Sequence, residues 1–289
     1  MPGGSTAARE WDARLSEPGS PVCGPEWLAL REDADAGARS AELVEPLRAH
    51  LAAGGPAVVR DLGCGTGSMG RWLAPRLPGP QRWILHDRDA ALLARAAAAM
   101  PSAAADGAAV TARTREGDVT RLRAADLAGT SLVTASALLD LLTAGEVDGL
   151  AAACAGAGCA ALLTLTVVGR VRLTPPDPLD GEFAAAFDAH QRRRTRGRRL
   201  LGPEAGAAAV EAFARRGAAV ATRPSPWRLR GAGAGALAQE WLRGWIGAAC
   251  AQRPDLARHA GPYLRRRLAG ELRVVVGHVD VLALPAGSP

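Results

Sequence analysis

A short apolar pair, Val58-Val59, leads through Arg60 to Asp61 and then to glycine at every second position, Gly63, Gly65 and Gly67. No other stretch constrains the fold of this chain as tightly. Val58 and Val59 predict a buried parallel strand with Asp61 at its carboxyl end. The alternating glycines let the backbone turn and pass close to a ligand where a Cβ would collide. A helix expected from Met69 would then aim its N-terminal N–H groups at that ligand. The segment is a turn built to hold a nucleotide-like cofactor.

Two registers of glycine compete. Gly65-Thr66-Gly67-Ser68-Met69-Gly70 spells the G-x-G-x-x-G pattern of dinucleotide enzymes, with Asp87 at about the expected distance. That pattern wants apolar strand residues directly before its first glycine, and Arg60, Asp61 and Gly63 would have to fill the strand end. With Gly63 as the first glycine the strand ends naturally at Asp61. Three later segments each run from apolar residues into a polar one. Trp83-Ile84-Leu85-His86-Asp87 predicts the second strand, its terminal carboxylate placed to accept from two ribose hydroxyls. Gly117-Asp118-Val119 follows, and Leu132 to Asp140 predicts a fourth strand running into its loop.

Asp61-x-Gly63-x-Gly65-x-Gly67, followed in order by Asp87, Asp118 and the fourth strand, resembles the class I S-adenosylmethionine (SAM) dependent methyltransferases, of the bacterial small-molecule type. The resemblance implies that Asp61 lies near the methionine end of SAM. It implies further that Asp118 meets the adenine amino group, with the neighbouring N–H of Val119 on the ring, and that Ser136 and Asp140 face the transfer site. Cys64 within the turn and Arg88 beside Asp87 fall in the same cofactor shell. Arg31 is placed to reach the cofactor carboxylate from the preceding helix, although a surface pair with Glu32 or Asp35 accounts for it equally. Asp140 is a candidate catalytic base, or else a helix N-terminal carboxylate stabilised by the dipole.

The expected fold is α/β, a doubly wound seven-stranded Rossmann-like methyltransferase sheet with an antiparallel last strand, an N-terminal helical cap and helical insertions. Residues 1–53 form the cap: a frayed start over the first 20 or so, then helix from Pro25 to Ala53 with an apolar stripe at Leu43, Leu47 and Leu51. Residues 54–223 form the SAM-binding core, its fifth strand from Ala160 to Val168, with an insertion near 174–200. This insertion starts at the Pro-rich break Thr174 to Pro178 and carries a helix from Phe183 to His190. Residues 224–271 form a helical substrate-side insertion, and 272–289 the final core strand and tail.

Within these insertions Phe187 and Trp227 are the candidate substrate walls, and His190 is the second candidate acid/base. His278 is expected to be structural, and Leu237, Trp241 and Trp245, four residues apart, to be a packing stripe. Six arginines between Arg192 and Arg199 predict a solvated, mobile loop at the substrate entrance.

Composition closes off other classes. The chain has no lysine, and its 35 basic residues, all arginine, are interspersed with 29 carboxylates, so a net charge of +6 does not make a nucleic-acid surface. The five cysteines (23, 64, 154, 159 and 250) include no C-x-x-C pair, which excludes a zinc site of that kind and a disulfide scaffold. No apolar run approaches the roughly 18 residues of a membrane span, and no basic-then-apolar leader opens the sequence. A cytoplasmic protein with reduced thiols is expected.

Transfer of a methyl group to an O or N atom of a small molecule is the leading reading. The Asp/Asn-Pro-Pro-Tyr motif of methyltransferases acting on adenine or glutamine amino groups is absent after the fourth strand, as is the Pro-Cys nucleophile of cytosine-C5 enzymes. The C-terminal half resembles bacterial methyltransferases associated with pterin-synthase-like genes, which implies a nitrogen heterocycle as acceptor. An RNA methyltransferase using the arginine run on phosphates, and a noncatalytic SAM-binding subunit, are the alternatives. Steep salt dependence of binding would mark the first.

Overall fold

The computed structural model describes residues 24–52, 54–230 and 235–286. The expected frayed start and Cys23 lie outside the described residues, as do Ala53 and the last three residues of the tail. Helix α1 (Pro25–Ala38) opens with proline in its first turn, where the missing N–H is not needed. A 3₁₀ turn leads to α2 (Val44–Ala52), whose Leu47, with Leu43 just before it, is almost wholly buried.

The core then alternates: β1 (Ala57–Leu62), α3 (Ser68–Leu73), β2 (Gln81–Asp87), α4 (Ala90–Ala98), β3 (Val110–Glu116), β4 (Leu132–Ser136), α5 (Ala144–Ala157) and β5 (Ala160–Thr174). The insertion follows as α6 (Asp180–Gln191), β6 (Arg194–Thr195) and β7 (Arg198–Arg199), and then α7 (Ala205–Ala214), β8 (Ala219–Pro224) and β9 (Trp227–Leu229). Two long helices, α8 (Ala236–Gln252) and α9 (Ala257–Leu268), precede β10 (Arg273–Leu284).

The main sheet runs β3-β2-β1-β4-β5-β10-β8, with β1 to β5 parallel where they pair and β10 antiparallel to both its neighbours. This is a doubly wound, Rossmann-like sheet with an antiparallel last strand. The chain order reverses between β1 and β4, and in open α/β sheets the crevice at such a switch point is where ligands sit. Strong local signals fix the helices near it. Asp89 caps α4 by accepting from the N–H groups of Ala91 and Leu92 at 2.8 and 3.1 Å. Thr143 and Glu146 form a reciprocal capping box on α5.

Cores lie on both faces of the sheet. Val59, Trp72, Trp83 and Leu85 pack on one face, and Leu62, Val133, Leu150 and Phe213 on the other. A third cluster, around Phe183, Trp241, Trp245 and Tyr263, joins the insertion helices to the far ends of β5 and β10.

Three parts differ from the sequence expectations. Strand β5 continues six residues past Val168, because β10 pairs with it all the way to Thr174. The alternation of Arg170 and Arg172 with Val171 and Leu173 is that of a ribbon with one face packed. A short eighth strand, β9, pairs with the start of β10 and adds sheet to a region expected to be helical. The arginine run is folded: β6 and β7 make a hairpin whose turn residues Arg196 and Gly197 both have positive φ, at 51° and 79°. Arg198 forks onto Glu146 at 3.0 and 2.7 Å and donates to the Leu141 carbonyl at 3.2 Å, so the hairpin is pinned to the loop after β4. No helix among the described residues is long and apolar enough to cross a membrane.

Candidate active site

At the carboxyl ends of β1, β2 and β4 lies a cavity of about 180 Å³. It gathers nearly every residue singled out for a cofactor: Asp61, Gly63, Cys64, Gly65, Asp87, Arg88, Asp118, Val119, Ser136 and, from the cap, Arg31. Gly67 stands one step behind, as the left-handed residue (φ 85°) that starts α3. Gly63 and Gly65 have φ of 61° and 54°, and a Cβ on Gly65 would come within 3.1 Å of Leu28 on α1. The turn is therefore closed down against the cap, and an L side chain there would be strained and crowded.

The acidic residues are held differently. Asp61 is buried; its Oδ1 accepts from the Thr134 hydroxyl at 2.7 Å, while Oδ2 has no partner. Burial pushes its carboxyl up to about 7, against the opposing pulls of the Thr134 bond and the Arg39 charge. An ammonium group delivered to Oδ2 would recover the unmade bond. Asp87 accepts from the N–H of Gly65 at 2.9 Å on one oxygen, and from those of Arg88 and Asp89 at 2.7 and 3.1 Å on the other. Those bonds fix its orientation and leave lone pairs for hydroxyl donors. Asp118 is exposed and oriented by Thr120, whose N–H and hydroxyl bond one oxygen at 2.8 and 2.7 Å. Burial pushes the Cys64 thiol well up, so it is a neutral wall and not a nucleophile.

Arg31 pairs with Asp35, as one of its two readings allowed, through bonds of 2.9 and 3.1 Å. It nevertheless lines the cavity. The residue that sequence reasoning missed is Arg39: buried at the end of α1, it donates from Nη2 to both Ser68 and Ser136 at 3.0 Å, and its Nε and Nη1 have no partner. It joins the first residue of α3 to the last of β4, beneath the cavity. A lone arginine near a helix end carries no sequence signal of that role.

A second cavity, of about 200 Å³, adjoins the first, and Arg31, Ala137 and Leu141 line both. Asp140, Phe187, His190 and Trp227 all face it. Burial pushes the Asp140 carboxyl up and depresses the His190 imidazole to about 4, so the imidazole is neutral near pH 7. Trp227 donates its indole N–H to Asp35 at 3.0 Å, and the Arg31 guanidinium stacks 4.9 Å from its ring centre.

The structure adds lining residues that were assigned structural roles. Trp241 and Trp245 do pack the third core, stacked at 5.5 Å, but they also wall the second cavity. His278, expected to be structural only, lines it too. The arginine run contributes Arg193 to the same wall, so it is part of the site rather than only a solvated edge.

No protein-family model and no curated protein sequence matches the chain. Among solved structures it is similar to an O-methyltransferase family protein from Burkholderia thailandensis, at 14% identity and a TM-score of 0.44, over 90% of this chain and 57% of that one. It is also similar to a SAM-dependent methyltransferase from Geobacter sulfurreducens in complex with S-adenosyl-L-homocysteine, at 16% identity and a TM-score of 0.40, over 90% of this chain and 98% of that one. A SAM-dependent methyltransferase from Thiobacillus denitrificans, in complex with the same compound, gives 16% identity and a TM-score of 0.43 over the same shares.

Proposed function

We propose that the chain is a SAM-dependent methyltransferase acting on an O or N atom of a small molecule. The observation that carries this reading is the pair of adjoining cavities that share Arg31, Ala137 and Leu141 as their common wall. Group transfer needs two ligands end to end with their reacting atoms at one boundary, and much of the rate comes from that alignment.

In the first cavity Asp61 Oδ2 would take the ammonium of the methionine portion, Asp87 the ribose hydroxyls, and Asp118 with the N–H of Val119 the adenine. The glycine cradle leaves room for the chain between them. When bound, SAM supplies a methyl group already activated by its sulfonium. The protein's part is to position the acceptor, exclude water and remove a proton where the acceptor carries one. Asp140 and His190 are the groups of the second cavity placed for that removal; a nucleophilic nitrogen without a proton would need orientation alone.

Calorimetry with SAM and S-adenosylhomocysteine tests the cofactor assignment. Both should bind, and Asp87→Ala should weaken them by about 1 to 3 kcal/mol through lost charged hydrogen bonds. Binding of NADH without SAM would overturn the reading.

A further inference from the structure

The second cavity has a composition unlike the rest of the chain. Aromatic residues are 4% of the sequence, yet Trp27, Phe187, Trp227, Trp241 and Trp245 all line this one space. They come from α1, α6, β9 and α8, so no helical periodicity accounts for their convergence. Trp241 and Trp245 are stacked, with ring planes 21° apart, and Phe187 lies 6.3 Å from Trp245. Such walls offer flat faces to a flat ligand.

The lining also carries unmade hydrogen bonds. The Nε1 of Trp245, Oε1 of Gln191, Nε2 of His190 and Nδ1 of His278 are buried without a partner, and all four residues line the cavity. Buried polar groups are ordinarily satisfied, and four exceptions around one space mark it as shaped for something polar at its edge. The indole N–H calls for an acceptor, and the amide oxygen for a donor.

Backbone strain falls in the same place. Of the three non-glycine residues with positive φ among the described residues, Ala137 (51°) and Leu165 (56°) line this cavity. Strain of that kind is kept where the surroundings hold it for a purpose. Arg31 is already matched by Asp35, and within the lining the charges of Arg193 and Asp140 act on each other.

Size sets the scale. A cavity of roughly 150 Å³ holds benzene, and this one is about 200 Å³. We infer that the acceptor is a flat, uncharged, fused bicyclic aromatic with a hydrogen-bond donor and a hydrogen-bond acceptor side by side on its edge. It would lie against the aromatic walls, its edge groups meeting Gln191 and Trp245. This deepens the methyl-transfer reading and rests on it.

Three probes of one outline separate the elements of the inference. Quinolin-2(1H)-one is flat and has the lactam edge; octahydroquinolin-2(1H)-one keeps the lactam but is puckered; naphthalene is flat without edge groups. Each is titrated by calorimetry and tryptophan fluorescence into protein saturated with S-adenosylhomocysteine. Quinolin-2(1H)-one should bind saturably and at least about tenfold more tightly than either of the others. Gln191→Met should weaken it about fivefold and leave naphthalene and S-adenosylhomocysteine unaffected; Trp245→Phe, which trims a wall as well as removing the donor, should weaken it at least about fivefold and naphthalene less, with S-adenosylhomocysteine unaffected. Gln191 is only half-buried, so its variant carries the test if Trp245→Phe fails to melt cooperatively. Equal binding of the puckered lactam, or no saturable binding of quinolin-2(1H)-one while S-adenosylhomocysteine still binds, overturns the inference. Failure of S-adenosylhomocysteine itself to bind would defeat the methyl-transfer reading instead.

Discussion

Trp227 and Asp35, 192 residues apart in the chain, are joined by a buried hydrogen bond of 3.0 Å from the indole N–H to the carboxylate. The same carboxylate holds Arg31 in a two-bond fork. One side chain of the cap thus fixes a wall of the second cavity and a residue shared by both cavities. Removing it should be costly. Asp35→Ala leaves a buried guanidinium and an indole N–H unpaired, and should destabilise the protein by about 3 kcal/mol, as read by urea unfolding. Asp35→Asn, which keeps an acceptor for Trp227, should lose less. Equal stability of Asp35→Ala and the wild type would show that the fork contributes nothing.

The glycine turn and the carboxylates around the first cavity were legible in the sequence because their signals are local. Asp61 and the three glycines lie within seven residues, and the tips of β2 and β4 announce themselves as apolar runs that end in a polar residue. The second cavity was legible only in part, because its aromatic walls come from four elements that meet through tertiary packing. Trp241 and Trp245 have the spacing of a core stripe and do pack a core; that one side of the stripe is left facing a cavity depends on where α6 and β10 run. Strand β5 is longer than its local sequence signal for a related reason: past Val168 its partner lies about a hundred residues away, in β10, and the arginines on its outer face look like loop.

Gly65→Ala tests how tightly cap and cradle meet. The positive φ alone should cost about 1 to 2 kcal/mol, and the new methyl would stand 3.1 Å from Leu28 Cδ1. SAM affinity should fall at least about tenfold. In the double variant with Leu28→Ala the steric part should be relieved and the backbone part should persist, giving a measurable coupling between the two sites. Strict additivity would mean that the cap does not press on the turn.

Asp61 should make both stability and binding depend on pH, in opposite directions. Its carboxyl is raised to about 7 by burial, so its contribution to the stability of the ligand-free protein is fully present below about 4 and is lost as pH rises through about 7. Relative to Asp61→Asn, the wild type should therefore weaken across that window by on the order of a few kcal/mol. Binding runs the other way, because an ammonium needs the carboxylate: S-adenosylhomocysteine should bind the wild type more tightly at pH 8 than at pH 6. The asparagine variant should show little slope. Parallel pH profiles of the two proteins would remove Asp61 from the binding site.

Arg39 supplies the last test, because it acts on that titration without lining the cavity. Its charge opposes the effect of burial on Asp61, and its bonds to Ser68 and Ser136 tie α3 to β4. Arg39→Met keeps the length and apolar stem while removing the charge. Stability should change little, since two lost hydrogen bonds are offset by relief of a buried guanidinium with two unpartnered nitrogens. The midpoint of the pH dependence of S-adenosylhomocysteine binding should move upward, by on the order of one unit. An Arg39→Met variant with weaker binding and an unmoved midpoint would show that Arg39 serves only to hold the two serines in place.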